Sequence, residues 1–164
     1  VLLAVIMTFT LGMGAQSKIA YVDIDELISE MPETKAAEAQ MQTFAATLQK
    51  DMKFLETEYQ NKLTELENGA NSGWSQLMIK SKQEDLYASQ QKIYEFQQQA
   101  QEEISQKQVE LMEPIIEKLQ NAVNEVAKEK GFAYVLDASQ SRGAVIYKDG
   151  GTDLAPFVKA KLGM

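Results

Sequence analysis

The 164-residue chain contains no cysteine and no histidine. The first absence excludes disulfides, thiol nucleophiles and a lipid-anchored cysteine. The second excludes histidine-based zinc sites and Ser-His-Asp triads. Proline is scarce, and none lies between Pro32 and Pro114. Basic charge is also short. Lys and Arg number 16 against 24 Asp and Glu, which gives a net charge of −8 and a pI near 4.7. A phosphate-binding surface needs a basic face, so nucleic acid is excluded as a partner. The lack of cysteine does not assign a compartment, because exported proteins need not carry disulfides.

What is present is a long stretch of helix-forming sequence. Between Glu33 and Glu67, apolar residues recur at Ala37, Met41, Phe44, Leu48, Met52, Leu55, Tyr59, Leu63 and Leu66. Steps of three and four residues place them on one helical face. Strong helix formers fill the positions between them. At about 1.5 Å per residue this arm is about 50 Å long. Asn68-Gly69 tolerates a left-handed C-cap, and Asn71-Ser72-Gly73 lets the chain reverse, with Ser72 as N-cap of the next helix. The tip of the hairpin is therefore expected at 68–73.

The second arm carries a seam of Ile79, Leu86, Ile93, Ala100, Ile104 and Leu111. Between Gln97 and Gln108 it is poor in apolar residues, so packing against the first arm should be thin there. Pro114 should kink the helix, since it lacks an N–H and its ring crowds the carbonyl of Glu110. Helix resumes through Ile115, Leu119 and Val126, and Gly131 ends it. Residues 33–130 hold 11 Lys against 17 Asp and Glu.

Residues 1–15 are apolar, lack charge and end in small residues, as a cleaved secretory signal peptide does. The cleavage point falls after Gly14 or Ala15. Lys18–Asp23 reads as a strand, and Asp23-x-x-Glu26 as a capping box that opens a helical turn. Pro32 suits the first turn of the arm that follows. After the hairpin, Phe132–Asp137 reads as a buried strand. Ala144–Tyr147 reads as a third strand, in a hairpin with the second. Thr152 or Asp153 then caps a last helix with Leu154, Phe157, Val158 and Leu162 on one face.

The expected fold class is α+β and mostly helical. A long antiparallel, coiled-coil-like hairpin, 33–130, projects from a small β-rich body made of 16–32 and 131–164. A body this small is marginal alone, which predicts self-association. Ile19, Tyr21, Val135, Leu136, Val145 and Ile146 are assigned to the body core and subunit contacts. Apolar residues off the seam, Phe54, Trp74, Met78, Tyr87 and Tyr94, are the candidates for touching another protein. Long wet helices carry no preorganised pocket, and neighbouring carboxylates such as Glu102 and Glu103 point about 100° apart. No enzyme activity, metal or cofactor is expected.

These residues in this order resemble the Skp/OmpH family of periplasmic chaperones for outer-membrane proteins. The resemblance rests on the leader, Lys18-Ile-Ala-Tyr-Val-Asp23, the Gly-containing hairpin, Pro114–Ala127 running into Lys130–Asp137, and Asp153–Val158. It implies a homotrimer whose strands build a common body and whose arms enclose a cavity. Unfolded outer-membrane β-barrel precursors would be held there without ATP. One departure is charge: well-known members are basic and this chain is acidic. That leaves contact with acidic lipid an open point and suggests a different choice of client. The alternative function is an envelope adaptor whose hairpin tips dock onto one folded partner.

Overall fold

The computed structural model describes residues 18–142 and 145–164. Element order is β1 (Ile19–Val22), α1 (Ile24–Glu30), α2 (Pro32–Asn71), α3 (Gln76–Lys130), β2 (Tyr134–Asp137), β3 (Thr152–Asp153) and α4 (Ala155–Leu162). Residues 1–15, expected to be a leader, lie outside the described residues. The chain divides into two compact units. One is Ile28–Lys118; the other joins the described part of Val1–Leu27 to Leu119–Met164.

In the first unit, α2 and the larger part of α3 form an antiparallel hairpin. All nine seam positions of α2 named above are buried or half-buried, and most positions between them are exposed. Pairs across the hairpin fix its register. Lys118 Nζ meets the Glu33 carboxylate, Lys62 Nζ donates to Ser89 Oγ at 2.5 Å, and Lys82 Nζ meets Glu65 at 2.8 Å. Lys118, by hydrogen bonding, holds the Glu33 carboxyl below its ordinary value. Lys82 is raised, chiefly by its bond to Glu65.

The turn lies at 72–75, between Asn71 and Gln76, so it begins four residues and ends two residues later than expected. Helix α2 continues straight through Asn68-Gly69. Gly69 serves packing rather than termination: a Cβ on it would stand 2.3 Å from the Trp74 ring. The left-handed residue is Gly73, at φ 86°. Ser72 closes the first helix instead of opening the second, with Oγ donating to the Asn68 carbonyl at 2.7 Å. Ser75 Oγ accepts from Met78 N–H at 3.2 Å and starts α3. Helix α3 then runs unbroken through Pro114. Pro114 and Glu110 are both exposed, so water can bond the carbonyl that the proline leaves without a donor.

The second unit is a three-stranded parallel sheet of order β2-β1-β3. Ile19 pairs with Tyr134 and Tyr21 with Leu136; Ala20 pairs with Thr152. Ala20 and Val22 point into a core completed by Leu27, Leu119, Val126, Leu154 and Val158. The three described first-turn N–H groups of α1 are all bonded. Glu26 N–H donates to Asp23 Oδ1 at 3.0 Å, the expected capping bond. Ile24 and Asp25 N–H donate to Ser139 Oγ at 3.1 and 3.3 Å. Ser139 is itself buried and donates its hydroxyl to Asp137. Burial pushes the Asp137 carboxyl up, but the Ser139 hydroxyl and N–H and the nearby Arg142 outweigh it, so the net shift is downward. At the C-terminal end of α3, Lys161 bridges Glu125 and Glu129, each at 2.8 Å.

The expected third strand is not formed. Ala144 lies outside the described residues, and Val145–Tyr147 is irregular, with Ile146 99% exposed. The two-residue β3 takes its place beside β1. Both outer strands run parallel to β1, so a tight hairpin between them is impossible and the chain must cross back between them. The residues between β2 and β3 make that return.

Candidate functional site

The described residues contain no cluster of carboxylates able to hold a metal. No helix among them is long and apolar enough to cross a membrane. The surface worth following is the hairpin itself. Four of the five residues singled out from sequence are open to solvent: Phe54 at 63%, Met78 at 47%, Tyr87 at 64% and Tyr94 at 59%. Trp74 is half-buried, with its ring laid on Gly69 and its backbone N–H donating to the Gly69 carbonyl at 3.1 Å. Its indole therefore organises the tip.

The five do not form one patch. At about 100° per residue, Tyr87 and Tyr94 share a line on α3, whereas Met78 points to the other side of that helix. Sequence reasoning missed two further members of the tyrosine line. Val109 and Ile116 are exposed and, like the tyrosines, are spaced seven apart. The usable signal was their distance from the seam: neither fits the Ile104–Leu111 stripe.

At mid-length, residues of both helices line an open cleft of 810 Å³. Its floor includes Leu48, Met52, Phe96 and Ile104, and its α3 rim is Gln97, Gln101, Ser105 and Gln108. This is the glutamine-rich stretch whose packing was expected to be thin. Phe96 is a floor residue that the period-seven seam of α3 passed over.

The six residues assigned to the body core behave differently. None is buried within one chain. Ile19 and Leu136 are exposed, as is Tyr134 beside them, and Tyr21 and Val135 are half-buried. The chain's own core uses the opposite face of β1. Ile19, Tyr21, Leu136 and Val145 instead line an 830 Å³ groove whose far wall is Tyr147–Thr152. Lys148 Nζ sits 4.8 Å from the Tyr21 ring centre, and Gly151 lies so close to Tyr21 that a Cβ would come within 2.9 Å of the ring.

Two long amphipathic helices and a small parallel sheet make a fold of the helical-hairpin class. The comparisons agree. The profile of the family described as Outer membrane protein (OmpH-like) matches residues 18–162, and the chain belongs to that family. Its fold is similar to that of a chain from Caulobacter crescentus CB15, crystallised as a candidate outer membrane chaperone (OmpH-like). The TM-score is 0.77 at 17% identity, over 90% of this chain and 85% of that one. No curated protein matches the sequence.

Proposed function

We propose that the chain is an ATP-independent holdase that keeps unfolded outer-membrane β-barrel precursors from aggregating. The observation that carries this is the line of exposed apolar residues Tyr87, Tyr94, Val109 and Ile116 along one 55-residue helix. Such a surface offers many separate weak contacts, which suits shielding a client without trapping it. Family membership supports a chaperone role in the same direction. The leader read in residues 1–15 supports export, with the periplasm as the proposed working compartment.

The working unit in this proposal is a homotrimer. Parallel sheets are normally covered on both faces, yet here Ile19, Tyr134 and Leu136 leave one face apolar and uncovered in the single chain. Neighbouring copies are its natural cover. Client would sit in a cavity between the arms.

A second proposal, a tip-docking adaptor, draws on Leu77 and Met78, which stand exposed beside the turn at 79% and 47%. Light scattering separates the two. The mature chain is mixed with a urea-unfolded outer-membrane β-barrel diluted into buffer. A soluble complex of three copies to one client supports the holdase. Client aggregation beside an unchanged chain refutes the holdase for that client class and favours the adaptor.

A further inference from the structure

The exposed surface of α3 is divided by charge. From Gln83 to Ile116, one sector about 100° wide contains no charged residue. Its apolar members are Tyr87, Tyr94, Val109, Met112 and Ile116, all exposed except the half-buried Met112. The remaining positions are glutamines and Ser105. At about 1.5 Å per residue this stripe is about 50 Å long. Gln98 Nε2 donates to Tyr94 OH at 3.1 Å within it.

The stripe has two unlike borders. On one side Gln101, Ser105 and Gln108 form the rim of the 810 Å³ cleft with its apolar floor. On the other side stands an exposed acidic face that includes Glu84, Glu95, Glu102, Glu103, Glu110 and Glu113. Its basic residues are Lys92 and, at its far edge, Lys107, which pairs with Glu110 at 3.0 Å. Around the helix the order is therefore cleft, neutral stripe, acid. Helix α2 has no such separation, and its exposed Phe54 lies near Lys50, Glu58 and Asn61.

We propose that this three-part surface of α3 binds an extended, unfolded polypeptide segment in which apolar residues alternate with basic ones. The proposal rests on the holdase function and names the client chemistry for it. A bulky apolar side chain of the segment enters the cleft over Leu48, Met52, Phe96 and Ile104. Its other apolar side chains lie along the tyrosine line. Glutamine amides, each both donor and acceptor, bond the client's unpaired backbone groups in any register. Lysine or arginine side chains reach the acidic face, whereas an acidic segment meets like charge there.

The test uses the full mature chain and three fluorescent peptides with one apolar pattern. Their polar positions are all lysine, all serine or all glutamate. At low salt the lysine peptide is expected to bind about tenfold tighter than the glutamate peptide, with serine between them, and high salt should compress the order because exposed charges are screened. Glu95→Gln with Glu102→Gln and Glu113→Gln should flatten the order while leaving serine-peptide binding unchanged. Tyr87→Gln, Tyr94→Gln, Val109→Gln and Ile116→Gln together keep helix propensity and should weaken all three peptides about tenfold or more.

A flat or reversed charge order in the wild-type chain overturns the proposal. So does a four-glutamine variant that binds as well as wild type. If that variant changes the light-scattering mass, the stripe is a contact between copies and the proposal also falls. In each of these cases the chain still binds unfolded segments, so the holdase function stands. Failure of the wild-type chain to bind any of the three peptides, together with failure to protect an unfolded β-barrel, removes the holdase function itself.

Discussion

From Leu55 to its tip the hairpin is closed. Leu55 and Ser89 are buried, Lys62 and Lys82 reach across from one helix to the other, and Trp74 lies on Gly69. At mid-length, Leu48, Met52, Phe96 and Ala100 are only half-buried, Ile104 is exposed, and they border an open cleft of 810 Å³. Helix α2 contributes the same periodic seam to both regions. The two regions differ in α3, which offers Ile79, Leu86 and Ile93 to the first and Phe96, Ala100 and the exposed Ile104 to the second. A long glutamine side chain keeps the helix but not the seam, so one continuous helix pair is tight in one place and open in another.

The largest test of that contrast is a matched pair of truncations. Leu55→Ala should cost about 2–3 kcal/mol, because it leaves a cavity in closed packing, whereas Leu48→Ala at the cleft should cost less than about 1 kcal/mol. Urea unfolding midpoints of the two variants decide it, and equal losses would break the contrast. Next in size is the tip. Gly69→Ala must displace the indole ring, with a cost of about 1–3 kcal/mol. Trp74 is the single tryptophan, so a red shift of its fluorescence reports the displacement directly.

Adding bulk should have opposite signs in the two regions. Ala100→Leu puts apolar volume beside the cleft and should stabilise by up to about 1 kcal/mol. Ser89→Leu forces volume into closed packing, strands Lys62 and should destabilise by about 1–3 kcal/mol. Thermal midpoints check both signs. The smallest effect concerns Glu33. Its folded carboxyl lies below the ordinary 4.5 because of Lys118. The pairing therefore stabilises the fold above that value and is lost as pH falls through the lower folded one. Glu33→Gln should remove this part of the acid limb in a pH series of unfolding midpoints.

Local rules reached far in this chain because most of its contacts are local. The helical period of α2, the Asp23 capping bond, Pro32 in a first turn and the thin packing at Gln97–Gln108 were all legible from residues a few positions apart. The tip was misplaced because Asn68-Gly69 has the composition of a helix end. Only the ring of Trp74, folded back five residues, shows why a glycine belongs inside that helix. Sheet order was beyond local reach as well. A run such as Val145-Ile146-Tyr147 looks like a strand whether or not an edge is free to receive it.

By itself the sequence determined the two long helices, the lack of cysteine and histidine, and the apolar residues that fall off the seam. Periodicity and composition encode these directly. The tertiary structure decided the rest. It set which side of β1 is core: Ala20 and Val22 face inward, and Ile19 and Tyr21 are left for another surface. It set the closure of α1 by Ser139, a hydroxyl 115 residues away from Ile24. It also formed the cleft along α3, since a groove lined by two helices depends on what each presents at the same level.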